Sequence, residues 1–354
     1  MKVVTDNNIF VLQQFGGISR LFQDYLEQGL IKEKLNVPNS TNDLTLTRKI
    51  LNHTNKYLAK DKYYHQKDYL AKQFKESKMD LFHPTYYGDY FLDKLNKPFV
   101  ITVYDMIHEI YPEIFNINDL IIEKRRVISK AKRIIAISER TKEDILKFLD
   151  VPEDKIDVIP LYTKFDSVKP DNLGFDINYP YILFVGNRNY YKNFKRFADS
   201  VFPVLKKHND LRVICTGGEF TEPEKNFFRE MAFEDRFVHV KCENDSKLKW
   251  LYENALIFIF PSMYEGFGFP VLEAFASSCP VVCSNGGSLQ EVGGDACLFF
   301  DPHNVHDMQE KIMYCIGNSS ERNIMVKRGL KSLKKYSLNK TLTLTKETYV
   351  KALS

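Results

Sequence analysis

Two carboxylates eight positions apart, Glu265 and Glu273, bracket the stretch Glu265-Gly266-Phe267-Gly268-Phe269-Pro270-Val271-Leu272-Glu273, the part of the sequence richest in potential chemistry. An apolar run ends at Pro261, a loop with two glycines follows, and Pro270 stands where the first helical turn accepts a residue without an amide hydrogen. The glycines let the backbone approach a ligand closely, so amides from Gly266 to Phe269 can donate to hydroxyls or to a phosphate. Each flanking carboxylate can accept from two vicinal hydroxyls, which suits a polyhydroxylated ligand. A plainer account stays open beside this one: Glu273 near a helix start complements the macrodipole, and the glycines only shape a turn.

Other glycine pairs are weaker signals. Gly16-Gly17 precedes a helix-forming run from Ile18, and Gly217-Gly218 follows the apolar run Leu211 to Cys215; each reads equally as a tight turn. Gly286-Gly287-Ser288 opens a further helix, where Ser288 and Glu291 fit the S-x-x-E capping box, a sufficient structural explanation for Glu291. Asp105 and His108 close the apolar run Pro98 to Val103 and could orient a hydroxyl, but a turn aspartate and a core histidine explain them as well. His303 and His306 have no third ligand in view and read as surface residues.

The elements that must position these residues follow from apolar periodicity. Strand-length apolar runs alternate with helical patterns: Val3 to Val11, Pro98 to Val103, Arg133 to Ile137 and Lys155 to Ile159 in the first half. In the second half the runs are Tyr181 to Val185, Leu211 to Cys215, Phe237 to Val240, Leu256 to Phe260, Pro280 to Cys283 and Ala296 to Phe300, each followed by a turn and a helix. This is the βα alternation of parallel, doubly wound sheets. Tyr162 to Pro180 breaks the pattern and reads as a linker. The expected organisation is therefore a first domain over 1–170, a second over 171–335, and a C-terminal helix over 336–354 packing back on the first, with a shared cleft at the carboxyl ends of the sheets.

Fifty Lys+Arg against 46 Asp+Glu leave a net +4 over 354 residues, which argues against a nucleic-acid-coating protein. The N-terminus turns polar at Thr5-Asp6-Asn7-Asn8 before a signal-peptide core could form, and no apolar run approaches membrane-span length, so a cytoplasmic protein is expected. The six cysteines include no CxxC pair and suggest reduced, buried thiols. From Arg48 to Lys78, nine Lys/Arg stand against three acids, interleaved with four tyrosines, so the segment could lie on an anionic membrane surface; a solvated helix face explains it equally.

Taken together, EGFGFPVLEA with Glu265 and Glu273 resembles the E-x7-E signature of the family-4 retaining glycosyltransferases. GGISRL at 16–21, IAISERTKEDI at 135–145, KIDVIPL at 155–161, FVGNRNYYKNF at 184–194 and PVVCSNGGSLQEVGGDACLFFDP at 280–302 extend the resemblance over most of the chain outside residues 31 to 80. It implies the α/β GT-B fold of two facing Rossmann-like domains. It implies that Glu273 takes the ribose hydroxyls of a nucleotide-sugar, that Glu265 and the amides of Gly266, Phe267, Gly268 and Phe269 take the transferred sugar, and that Lys192 and Arg188 hold the diphosphate. Both cations follow the first strand of the second domain, and an arginine can fork onto phosphate oxygens. Gly16 and Gly17 would add amides from the first domain, and Gly217 and Gly287 would line the donor site. The sequence departs from the family in two places: Asn187 stands where relatives carry an arginine, with Arg188 next to it, and Tyr104-Asp105 stands where they carry His-Asp.

The activity implied is retaining transfer of a sugar from a nucleotide diphosphate donor to a hydroxyl of a glycan or lipid-linked acceptor, without metal or other cofactor. The FVGxRxxYKNF form is similar to mannosyltransferases of bacterial surface polysaccharides, lipopolysaccharide or capsule, which points to GDP-mannose as donor. Partners would then include the membrane face through residues 48–78, and no nucleic acid. Other readings are a catalytically silent nucleotide-sugar-binding partner of another transferase, a GT-B epimerase or phosphorylase, and a nicotinamide-dependent oxidoreductase. The last lacks a GxGxxG after either domain's first strand.

Overall fold

The structure, a computed structural model, describes residues 1–12, 16–36, 69, 71–115, 118–188 and 190–354. The chain forms two compact units. The first comprises Met1–Ile137, Thr141–Ile159 and Leu342–Ser354, and the second Ser138–Arg140 and Pro160–Thr341.

The second unit is built on a six-stranded parallel sheet of β7 (Tyr181–Phe184), β8 (Arg212–Cys215), β9 (Phe237–His239), β10 (Ile257–Phe260), β11 (Val281–Ser284) and β12 (Cys297–Phe300). Strands β7, β10 and β11 are buried at every residue, because helices cover both faces of a doubly wound sheet and leave no side for polar residues. The spatial order is β12-β11-β10-β7-β8-β9. From β7 the chain winds first to one side and then to the other, so the topological switch point lies between β7 and β10, where loops leaving two carboxyl ends diverge and open a crevice. The core beside β7 is dominated by phenylalanines: Phe228 stacks on Phe237 with centroids 4.2 Å apart, and Phe194 and Phe197 pack on Phe184. Of the linker, Phe165 and Leu173 are buried, and the ammonium of Lys249 donates to the Phe165 carbonyl at 2.9 Å, so this stretch packs into the second unit.

The first unit carries β1 (Val3–Asp6), β2 (Glu33–Leu35), β3 (Leu81–Phe82), β4 (Val100–Val103), β5 (Arg133–Ala136) and β6 (Ile156–Val158) in two parallel three-stranded sheets, β2-β1-β3 and β4-β5-β6. A single parallel bridge, Phe82 to Phe99, joins them. The expected strand Val3 to Val11 is shorter than its apolar run: Asp6 accepts from the Asn8 amide at 2.8 Å, turning the chain into the helix Asn8–Leu12. The last helix, Leu338–Leu353, places Thr345 and Tyr349 in the core of this unit, where Thr345 meets Tyr25 and Tyr349 meets His83.

No helix among the described residues is long and apolar enough to cross a membrane. The expectation of a membrane-facing segment at 48–78 falls largely on residues 48–68 and 70, which lie outside the described residues.

Candidate functional site

In the second unit the loops after β7 and β10 bring together two of the expected residues. The Lys192 ammonium donates to Glu265 Oε1 at 2.6 Å across the switch point, with the two side chains 19% and 15% exposed. This is a pair a ligand can reach, and Lys192 also lies over the rings of Tyr191 and Phe260. After Glu265, Gly268 adopts φ +107, which any Cβ would strain, and caps the helix Phe269–Ala276 with Pro270 in its first turn. The helix start thus has no side-chain cap, as an amide site for a ligand requires. On the same helix Glu273 accepts from the buried Tyr252 hydroxyl at 3.3 Å. Burial, with Glu273 adding to it, raises the Tyr252 phenol well above its ordinary value, so it stays a donor.

The backbone under Glu265 is held by glycines. A Cβ on Gly286 would stand 2.2 Å from the Met263 carbonyl oxygen, and one on Gly287, at φ +61, 2.2 Å from that of Glu265. The Ser288 amide and hydroxyl both donate to the Glu265 carbonyl, and the hydroxyl donates also to that of Phe267 at 2.8 Å. Gly287 is therefore placed against the loop's backbone. The expected capping box does not form: Ser288 is committed to the Glu265 loop, and the Glu291 carboxylate instead accepts from the amides of Glu139 and Arg140 in the same unit. Gly266 presents its carbonyl to the Ser138 hydroxyl at 2.8 Å. The rings of Phe267 and Phe269 meet edge to face.

Arg188 lies apart from Lys192 in its bonding. It is 7% exposed, its Nε donates to Glu224 at 2.6 Å, an Nη donates to the Glu219 carbonyl at 2.7 Å, and its guanidinium covers the Phe220 ring at 4.7 Å. Its other Nη is buried without a partner. Burial resists charge on Glu224, but the bonds from Arg188 and Thr221 outweigh it and hold the carboxyl below its usual range. Arg188 thereby secures the loop after β8, where Gly217 packs so tightly that a Cβ would lie 2.5 Å from the Gly186 carbonyl oxygen.

Sequence reasoning missed Asn193. At φ +59 it starts the helix Phe194–Lys207, and its side-chain amide donates to the carbonyls of Pro261 (3.1 Å) and Pro302 (2.7 Å), tying the Lys192 loop to the one that bears Glu265. Its tolerance of the left-handed region was the signal available.

In the first unit, Gly16 caps the helix Gly17–Glu27 with extended backbone and no side-chain bond. Asp105 follows β4, accepts from the Ile107 amide at 3.1 Å, and presents its carbonyl to Lys124 at 2.7 Å. His108 packs on Phe115 with Nδ1 buried and unpartnered, and burial above all depresses its basicity, so the ring is neutral. What holds this turn was not legible from residue order: Lys124 and Glu109 form an ion pair of 2.8 Å with both side chains 0% exposed. No cluster of three or more metal-ligating side chains occurs among the described residues.

The family described as "Glycosyl transferases group 1" matches residues 167–332, and "Glycosyltransferase Family 4" matches 42–161. The O-antigen chain mannosyltransferase B of Escherichia coli is 29% identical over 234 residues, 63% of this chain and 61% of that protein. The O-antigen chain mannosyltransferase RfbU of Salmonella typhimurium is 27% identical over 220 residues, 60% of this chain and 59% of that protein. The chain thus spans about three fifths of the length of these relatives. A glycosyltransferase structure from Rickettsia africae superposes with a TM-score of 0.72 at 18% identity, covering 100% of this chain and 99% of that one.

Proposed function

We propose that this chain, which belongs to the family-4 glycosyltransferases with the GT-B fold, transfers a sugar from a nucleotide diphosphate sugar to a hydroxyl of a glycan or lipid-linked acceptor, with retention at the anomeric carbon. The observation that carries the reading is the solvent-reachable Lys192–Glu265 pair at the switch point, beside an uncapped helix start. Bond breaking leaves growing negative charge on the departing phosphate and positive charge on the sugar. A donor entering the crevice opens the pair: Lys192 turns to the phosphate, Glu265 to the sugar hydroxyls, and the free amides at Phe269 add to the positive field. Preorganised donors of this kind are worth about 3–4 kcal/mol each.

Glu273, one helical turn further on, takes the ribose, with Tyr252 fixing which oxygen faces it. The bond to the anomeric carbon breaks as the acceptor oxygen approaches the same face, and the leaving phosphate oxygen takes the acceptor's proton, so no protein base is assigned. Arg188 acts through the loop that carries Gly217 and Phe220, and Asn187 or its backbone meets the phosphate in its place. In the first unit Gly16 and Gly17 offer amides, and Asp105 and the neutral His108 orient the acceptor. The charge comes from lysine and amides, and no metal is required. The mannosyltransferases among the relatives support mannose as the sugar and GDP-mannose as the donor, in polysaccharide synthesis on the cytoplasmic side of a membrane.

The test is a panel of nucleotide-sugars screened by thermal shift and by nucleotide release, with Glu273→Ala and Lys192→Ala beside the unaltered chain. One donor that stabilises and turns over only in the unaltered chain is the expected result. Donor binding without turnover in the presence of plausible acceptors would overturn the reading.

A further inference from the structure

The first unit holds a cavity of about 420 Å³ that the reaction above does not use. It lies at the amino edge of β4, β5 and β6, the edge away from Asp105. Lys97, Lys130, Lys132 and Lys155 line it, over apolar side chains that include Leu92 and Phe99. The strand register accounts for the clustering. Parallel pairing sets Val100 beside Arg133 and Ile134 beside Ile156, so Lys97, Lys132 and Lys155, each one to three residues ahead of its strand, arrive at one edge. Lys130 ends the preceding helix, Asn118–Lys130, where a cation suits the helix dipole.

None of the four forms an ion pair among the described residues, although Asp80 lies within electrostatic range of Lys97. Of the neighbouring carboxylates, Asp157 is committed to Arg133 at 2.7 Å and Lys351 at 2.6 Å and Glu153 to Lys142 at 2.7 Å, while Asp154, next to Lys155 in the chain, forms no ion pair with it. Four like charges brought to one mouth with no ion-pair partner repel one another, and a bound anion relieves that repulsion. The apolar floor narrows the ligand further, since a small, strongly hydrated anion gains nothing from Leu92 and Phe99 whereas an amphiphile does.

We propose that this cavity binds the phosphate group of an anionic amphiphile, namely the headgroup of an anionic phospholipid, with the phosphate against the lysines and the adjoining apolar portion on the floor. None of its lining residues belongs to the segment 48–78. It would hold the first unit against a charged bilayer.

The experiment is sedimentation of the full chain with phosphatidylcholine vesicles, with and without phosphatidylglycerol. Binding is expected only to the anionic vesicles, weakening as salt rises. Lys130→Gln with Lys132→Gln should lower it by about tenfold or more, as should Lys97→Gln with Lys155→Gln. Unchanged melting temperatures of these variants, whose lysines reach solvent, separate lost binding from lost fold. Lys331→Gln with Lys335→Gln, exposed in the second unit, is expected to leave binding in place. If that pair abolishes binding and the cavity pairs do not, the proposal is overturned. A parallel arm measures the melting temperature in inorganic phosphate: stabilisation that Lys130→Gln with Lys132→Gln removes, in a chain that ignores vesicles, overturns the lipid source and leaves a site for a soluble phosphate. No response to either ligand overturns the site itself.

Discussion

Lys124 with Glu109 in the first unit and Lys192 with Glu265 in the second are ion pairs of similar length, 2.8 and 2.6 Å, but the first is wholly sealed and the second reaches solvent on both sides. A sealed pair cannot exchange partners, so its charge is spent on architecture: the Lys124 ammonium joins the Glu109 carboxylate to the Asp105 carbonyl and fixes the turn that follows β4. An open pair loses little when a ligand separates it, because water and the ligand can take over each half. The same residue types therefore serve shape in one unit and chemistry in the other, and accessibility decides which.

Breaking each pair from its lysine side tests this division, and the sealed pair should give the largest loss. Lys124→Met leaves Glu109 charged without a partner in the interior, which costs about 3–5 kcal/mol. Calorimetry should show the first unit melting well below its normal temperature, and Lys124→Met with Glu109→Leu should recover part of the loss. If the single variant melts normally, the pair is not sealed and the contrast fails. Lys192→Ala should do the reverse, with turnover falling about 100-fold to 1,000-fold and stability changing by less than about 1 kcal/mol. A large drop in melting temperature there would make Lys192 an architectural residue like Lys124.

The first unit buries a neutral base as well as a charge pair, and pH reads it out. His83 has no exposure, with one ring nitrogen 2.7 Å from the Tyr349 hydroxyl and the other 2.9 Å from that of Thr102, and burial lowers its pKa to about 3. The unfolded chain binds this proton near pH 6.5, the folded chain only near 3. The stability from the neutral ring is therefore complete above pH 6.5 and falls as pH drops, by about 1.4 kcal/mol per unit or about 2 kcal/mol by pH 5. The slope of melting temperature against pH over that range should flatten in His83→Gln. An unchanged slope would assign the acid sensitivity to other groups.

Much of this contrast could be read only in part from the amino-acid order. The central strands of the second unit stood out as unbroken apolar runs because both faces of that sheet are covered, and Glu265, Glu273 and Lys192 stood out through the resemblance of the motifs that carry them, since by themselves a helix-start acid and glycine turns have sufficient structural uses. The pairing of Lys192 with Glu265 did not, since it depends on β10 docking beside β7, a neighbour relation between segments 73 residues apart. Strands β2 and β3 escaped notice at three and two residues, the former mostly polar. Lys124 sits in Ile121-Ile122-Glu123-Lys124-Arg125-Arg126, where composition predicts a solvated face, and only the fold turns that lysine inward. Arg188 was legible as a cation near the diphosphate but not as one already engaged, because its acceptor Glu224 lies on a helix that composition alone does not aim at it.

The smallest effect expected is also the most selective. Tyr252 is buried and donates to Glu273 at 3.3 Å, a long bond between a neutral donor and a half-buried carboxylate. Tyr252→Phe removes one hydroxyl and leaves the ring packed edge to face on Phe258 and Phe165, so stability should change by about 1 kcal/mol or less. If Tyr252 only orients Glu273 toward the ribose, the donor's KM should rise about threefold to tenfold while kcat holds, because that interaction serves ground state and transition state alike. A fall in kcat at constant KM would mean that the Glu273 bond tightens as the phosphate departs. The second unit's open groups would then be coupled along the helix Phe269–Ala276, and the line between positioning and chemistry would run inside that unit.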